Sequence, residues 1–221
     1  MTGTEEELSE LRQFFRVRFS KQGDIRFTSH HDLMRLFERA LRRAGLPTAM
    51  SQGFNPRPRI SLPAPLSVGI EGQNEVFDFE LREWVQPEEA RQRLERELPE
   101  GIRIRAVRVL PPKPDRQPTR LSYRIPLLEG HPVTEDAVRN LLAADRIVVE
   151  RSGGKKARTR NIAEFIRDLR LEDDTLRLLL EVTAGGTARP EEVLGALGCE
   201  PGRHYLRGAI ERDHVSLSSS L

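Results

Sequence analysis

The chain has a single cysteine, Cys199, among its 221 residues. One thiol cannot close an internal disulfide, and it excludes an iron-sulfur cluster or a thiolate zinc site built from the chain's own cysteines. Long apolar runs are missing as well, none approaching the roughly 20 residues that span a bilayer. The opening MTGTEEELSEL is acidic where a secretory leader is basic and then apolar. A cytoplasmic protein without membrane association is the expectation. Lysine is scarce, standing only at Lys21, Lys113, Lys155 and Lys156, so arginine carries nearly all the positive charge. A net charge of +2 and a pI near 9.0 do not by themselves define a nucleic-acid binder. Arginine's planar fork suits phosphates and carboxylates; the codon usage of a GC-rich genome gives the same bias with no ligand at all.

What is present is enough for a real core. With 37% hydrophobic and 32% charged residues, the chain suits one large domain or two small ones. FFRVRFS alternates Phe15, Val17 and Phe19 with Arg16 and Arg18, the period of a half-buried strand. A helix follows, with Leu33, Phe37, Ala40, Leu41 and Ala44 on one face, Ser29 as its cap, and Gly45 and Pro47 as its stop. RISL and EVFDFEL read as strands, PEEARQRLEREL as a helix and IRIRAVRV as a closing strand.

That βαββαβ order predicts an α+β protein whose first half, residues 13–110, is ferredoxin-like, an antiparallel sheet with both helices on one face. Residues 1–12 read as an N-terminal tail, and the proline-rich LPPKPDRQP, at 111–118, as a linker. The pattern then returns over 119–213 as a second, tandem ferredoxin-like half, before a tail at 214–221. In that half RLSYRIPL, RIVVER and LRLLLEV are expected strands, TEDAVRNLLAA and PEEVLGALG helices, and HYLRGAIER the closing element. NIAEFIRDL shows helical spacing at Ile162, Phe165, Ile166 and Leu169, which points to an extra element at 161–170.

The stretch from Ser29 to Arg59 holds the densest set of candidate functional residues. His30 and His31 are adjacent at a helix start and diverge by about 100°, so they do not form an i, i+4 ligand pair, and no metal is expected. Arg35, Arg39, Arg42 and Arg43 line the side away from the apolar stripe, offset by Glu38. The loop SQGFNPRPRIS follows, in which glycine and prolines set a turn. Gly53, Phe54 and Asn55 sit at its tip, with Arg57 and Arg59 beyond. Aromatic, amide and guanidinium groups on one loop suit a nucleotide base with phosphates alongside. Two readings stay open for Phe54: a stacking platform, or a side chain tucked into the core of a rigid connection. The candidate ligand-binding set is Ser29, His30, Asp32, Arg35, Arg39, Arg42, Gly53, Phe54, Asn55, Arg57 and Arg59.

Two further basic surfaces are expected. Arg16, Arg18, Arg103 and Arg105 share the sheet face opposite the helices, where Asp78 and Glu80 are placed to neutralise them across strands. RSGGKKARTR, with Lys155, Lys156, Arg158 and Arg160, reads as a secondary basic loop.

The stretch RVRFSKQGDIRFTSHHDLMRLFERALRRAGLPTAMSQGFNPRPRISLPAPLSVGIEG, followed by EVFDFEL, resembles the radical-SAM-linked family of bacterial proteins, a domain found alone or joined to a cobalamin-binding radical SAM protein. The likeness is close over residues 15–82 and looser to about residue 212. The family pattern has Ser-His-Leu-Asp where this chain has Ser29, His30, His31 and Asp32, so His31 stands in place of the leucine. The resemblance implies a radical SAM protein as partner, with S-adenosylmethionine, an iron-sulfur cluster and, as a further candidate, cobalamin on that partner and no cofactor on this chain, which lacks a CxxxCxxC. The expected function is a non-catalytic accessory or substrate-binding module for RNA. The alternatives are a metal-independent endoribonuclease resembling the CRISPR repeat-processing enzymes, with His30 as acid or base, and a protein-protein adaptor.

Overall fold

In strand β1 (Gln13–Lys21) Phe15, Val17 and Phe19 are each at most 1% exposed, as expected, but the strand is buried on both faces and not on one, since Arg16, Ser20 and Lys21 are buried as well. The protein is described from a computed structural model covering residues 12–151 and 158–218. It divides into two compact units between Gln117 and Pro118. In the first unit β1 runs antiparallel to both β3 (Glu71–Leu81) and β4 (Ile102–Leu110), and the short β2 (Ile60–Ser61) is antiparallel to β3. Helices α1 (His30–Arg43) and α2 (Pro87–Glu95) bring Leu33, Phe37, Ala40, Leu41, Ala90 and Leu94 into one cluster with Phe15, Val17, Phe19, Ile102 and Ile104. Phe37 stacks on Phe77 at 4.0 Å between ring centres and meets Phe19 edge-on at 5.0 Å.

Both ends of α1 follow from the sequence. Ser29 Oγ accepts the Asp32 amide, the usual N-cap bond. At the other end Gly45 takes φ 60°, its amide donates to Arg42 O, and the Leu46 amide donates to Leu41 O. This paired closure needs a left-handed residue, which glycine supplies without strain, and it returns Leu46 to the core beside Leu41.

The opposite face of the sheet is not open. Arg16 and Asp78 are direct cross-strand partners, joined by two bonds of 2.9 Å, with side chains 7% and 1% exposed. The segment after β4, expected as a linker, folds back here. Asp115 O accepts from Arg16 at 3.0 Å, and Arg116 donates to Glu80 at 3.1 Å and lies 3.4 Å from Asp78. Arg18 donates to Asn74 O, leaving Arg103 and Arg105 as the exposed pair of the expected arginine face. Half of the four-arginine surface is therefore used in forming the fold, Arg16 by the Asp78 carboxylate opposite it on β3 and Arg18 by a backbone carbonyl.

The second unit has the antiparallel order β10 (Glu211–Leu217), β5 (Pro118–Pro126), β9 (Thr175–Glu181), β8 (Ile166–Glu172), with helices α3 (Glu135–Leu142) and α4 (Pro190–Ala196). Three expectations change. RIVVER does not join this sheet: β6 (Val148–Arg151) pairs with β7 (Arg158–Asn161) in a separate two-stranded ribbon. NIAEFIRDL is no helix; Ile162 and Phe165 are buried by one short turn, and strand β8 starts at Ile166. The signal for that strand is Asp173-Asp174 between two leucine-alternating runs, with Asp173 at φ 52° turning the hairpin. Lastly, HYLRGA forms a bridge and a turn, and the closing strand lies later, reaching Leu217 into the expected tail, with Val215 and Leu217 buried. Among the described residues no helix is long and apolar enough to cross a membrane.

Candidate phosphate-binding groove

Arg35, Arg39 and Arg42 recur at i, i+4 and i+7 along α1, which puts them in one stripe, and all are exposed. Opposite this stripe runs the loop from Leu46 to Arg59. It is an antiparallel excursion anchored on β3: Ala49 N donates to Glu80 O, Arg59 N to Ala49 O, Glu80 N to Arg59 O, and Ser51 N to Arg57 O. Arg57 N donates in turn to Ser51 Oγ, closing the tip. A loop held by this many backbone bonds is a fixed wall.

Between stripe and loop lies a groove of about 610 Å³, lined by Arg35, Glu38, Arg39 and Arg42 from α1, Leu46, Pro47, Thr48, Met50, Pro56, Arg57 and Pro58 from the loop, and Arg82 just after β3. Arg35 lies 3.8 Å from Asp32, both well exposed, and Arg82 lies 3.4 Å from Glu83. Pairs of that kind are worth at most about 1 kcal/mol and yield readily to a ligand. Among the described residues Arg39, Arg42 and Arg57 pair with no carboxylate, and Glu38 is the one acid in the lining. The result is a concave wall of guanidinium groups in which a phosphate chain would find donors on two sides.

The structure thus unites Arg35, Arg39, Arg42 and Arg57 and separates them from others in the expected set. Arg59 turns away, donating to Met50 O and lying 3.7 Å from Glu80. Ser29 and Asp32 bond each other at 2.7 Å in the helix cap. His30 is at the start of α1 and does not line the groove; its ring meets that of His31 at 5.9 Å, and burial, followed by the neighbouring imidazole, holds its pKa below the usual histidine value. Phe54 is fully exposed at the loop tip with Gly53 and Asn55, which excludes the core-packing reading. Arg82 was not legible in sequence, because only the pairing of the loop with β3 brings it beside Pro47.

In the second unit Arg160 donates to Gly185 O at 2.5 Å and lies over the Phe165 ring at 4.5 Å, so it is spent locally, while Arg158 is exposed. Lys155 and Lys156 lie outside the described residues. Among those residues no group of histidine, cysteine or carboxylate side chains is placed to hold a metal ion.

Fold and groove together define an α+β protein with an arginine-walled surface groove. The chain belongs to the family described as "Uncharacterized protein conserved in bacteria (DUF2344)", which matches residues 15–190. No curated protein matches it. Among solved structures it is similar to a chain of "Crystal Structure of a Cbf5-Nop10-Gar1 Complex", with 15% identity and a TM-score of 0.45 over 96% of this chain. The chain spans 51% of the length of that protein.

Proposed function

We propose that this protein is a non-catalytic binding module for RNA, acting beside a separate radical SAM enzyme. One observation carries the RNA half of this reading: Arg39 and Arg42 face Arg57 across a groove, and none has a carboxylate partner among the described residues. An arginine that forms no internal pair gains the most from an external phosphate, and a row of them suits a phosphate backbone. The radical SAM half rests on the sequence resemblance. On this reading the iron-sulfur cluster, S-adenosylmethionine and, as a further candidate, cobalamin belong to the partner. We also read each unit as a ferredoxin-like fold, since in both the strand order runs last, first, third, second, once the β6–β7 ribbon is set aside as an insertion.

An endoribonuclease would need an acid or base within hydrogen-bond reach of the scissile phosphate. His30 is not in the groove, and Glu38 is the one titratable acid there, which favours binding over cleavage. The test is a fluorescence-anisotropy titration of labelled single-stranded RNA at low salt, with the same RNA run on a denaturing gel. Saturable binding of intact RNA, lost when Arg39 and Arg57 are both replaced by alanine, is the expected result. Absence of binding at low salt would leave the adaptor reading, and cleavage abolished by His30→Ala would establish the nuclease.

A further inference from the structure

A second depression adjoins the groove and shares Leu46, Pro47 and Arg82 with it. Its wall carries Trp84, the chain's only tryptophan, which is 66% exposed. Leaving an indole in water forgoes a large burial gain, yet the backbone beneath it is firmly held. Gln13, itself 7% exposed, clasps the next residue at both ends: its amide donates to Val85 O at 3.1 Å and accepts from Val85 N at 2.9 Å. Arg82 N donates to Pro47 O, and Arg93 donates to Ala44 O and Gly45 O at 2.9 and 2.6 Å. The indole is mounted on a rigid base, which keeps the entropy cost of docking a ligand low.

The charge around it differs from that of the groove. Here Arg82 and Arg93 are matched by Glu83 and Glu89, whereas the groove sets five arginines against Glu38 alone, so the depression carries little net positive charge. Such a surface has little to offer a phosphate, whereas an indole face accepts any nucleobase. We infer that Trp84 is a base-stacking platform for a single-stranded nucleic acid whose phosphates lie in the adjoining arginine groove, with Arg82 at the junction. This inference rests on the RNA reading and adds to it a direction: the strand runs from the Arg39 and Arg57 side past Pro47 to Trp84.

Because Trp84 is the sole tryptophan, its emission reports this one position. The intact chain is titrated with a 5′-labelled oligoadenylate about ten nucleotides long, following anisotropy and tryptophan emission together, with polyphosphate titrated in parallel as a chain of phosphates without bases. Oligoadenylate should quench Trp84 over the range in which anisotropy rises, and polyphosphate should leave the emission unchanged. Trp84→Ala should weaken oligoadenylate binding about 5- to 150-fold with no change in salt dependence, and Trp84→Phe, which keeps a ring, should retain most of the affinity. If RNA binds but emission does not change and Trp84→Ala binds like wild type, the inference falls and the groove reading stands. Quenching by polyphosphate equal to that by oligoadenylate would also overturn it. If no RNA binds at all, both fall.

Discussion

The arginines behind the sheet and those along the groove are the same side chain put to opposite uses within one unit. Arg16 is 7% exposed, with a bidentate carboxylate and a carbonyl as partners, and Arg116 lies beside both Asp78 and Glu80. Arg39, Arg42 and Arg57 are exposed, with no carboxylate partner among the described residues. Removing water from a guanidinium is costly unless its donors are satisfied, so the buried Arg16 must be paired for the fold to stand. Exposed ones carry no such obligation and stay available. Charge counts do not separate the two groups; the position of Asp78 and Glu80 does.

The comparison breaks most sharply at Asp78. Replacing it by alanine strands the Arg16 charge in a buried site, and chemical denaturation should show a loss of about 3–5 kcal/mol; a loss below about 1 kcal/mol would mean that the cluster is not what holds Arg16. Phe54→Ala acts on the other region. It should weaken RNA binding by about 1–3 kcal/mol and leave the denaturation midpoint where it was, since the ring is fully exposed. Ser29→Ala sharpens the boundary between cap and site: it should cost about 1 kcal/mol of stability and leave RNA affinity unchanged, because Ser29 caps α1 away from the groove. The smallest effect concerns His30. Its native pKa is lowered, by burial first and then by His31, so the unfolded chain binds the proton more readily. The advantage of wild type over His30→Gln is therefore full above the ordinary histidine value of about 6.5 and is lost as pH falls through the lowered native value. Denaturation midpoints of the two proteins measured from pH 8 to pH 5, a range set by the ordinary histidine pKa, check the sign.

The features legible in sequence were local ones. The alternation of Phe15, Val17 and Phe19, the apolar face of α1, the Ser29 cap and the Gly45 stop each depend on residues within a turn or two, and each is in place. Arg35, Arg39, Arg42 and Arg57 were legible as a basic set because helix period and loop follow each other directly. Proximity in sequence groups Arg59 with them, but its partner Glu80 comes from β3, a contact no local pattern announces. The same limit hid the strap formed by Asp115 and Arg116, since prolines in a row read as a linker whether or not neighbouring side chains find partners. In the second unit the apolar positions of NIAEFIRDL fit a helix and a turn-plus-strand equally, and the Asp173 turn decided between them.

The most direct test of the central claim, that the free arginines of the groove hold phosphates, is the salt dependence of RNA binding by wild type and by the Arg39→Ala, Arg57→Ala double variant. Each phosphate contact on a single strand contributes about 0.7 to the log-log slope. The double variant should therefore show a slope shallower by about 1.4 units, with stability within about 0.5 kcal/mol of wild type. Equal slopes for the two proteins would contradict the claim, because binding would then be indifferent to the charges that define the groove.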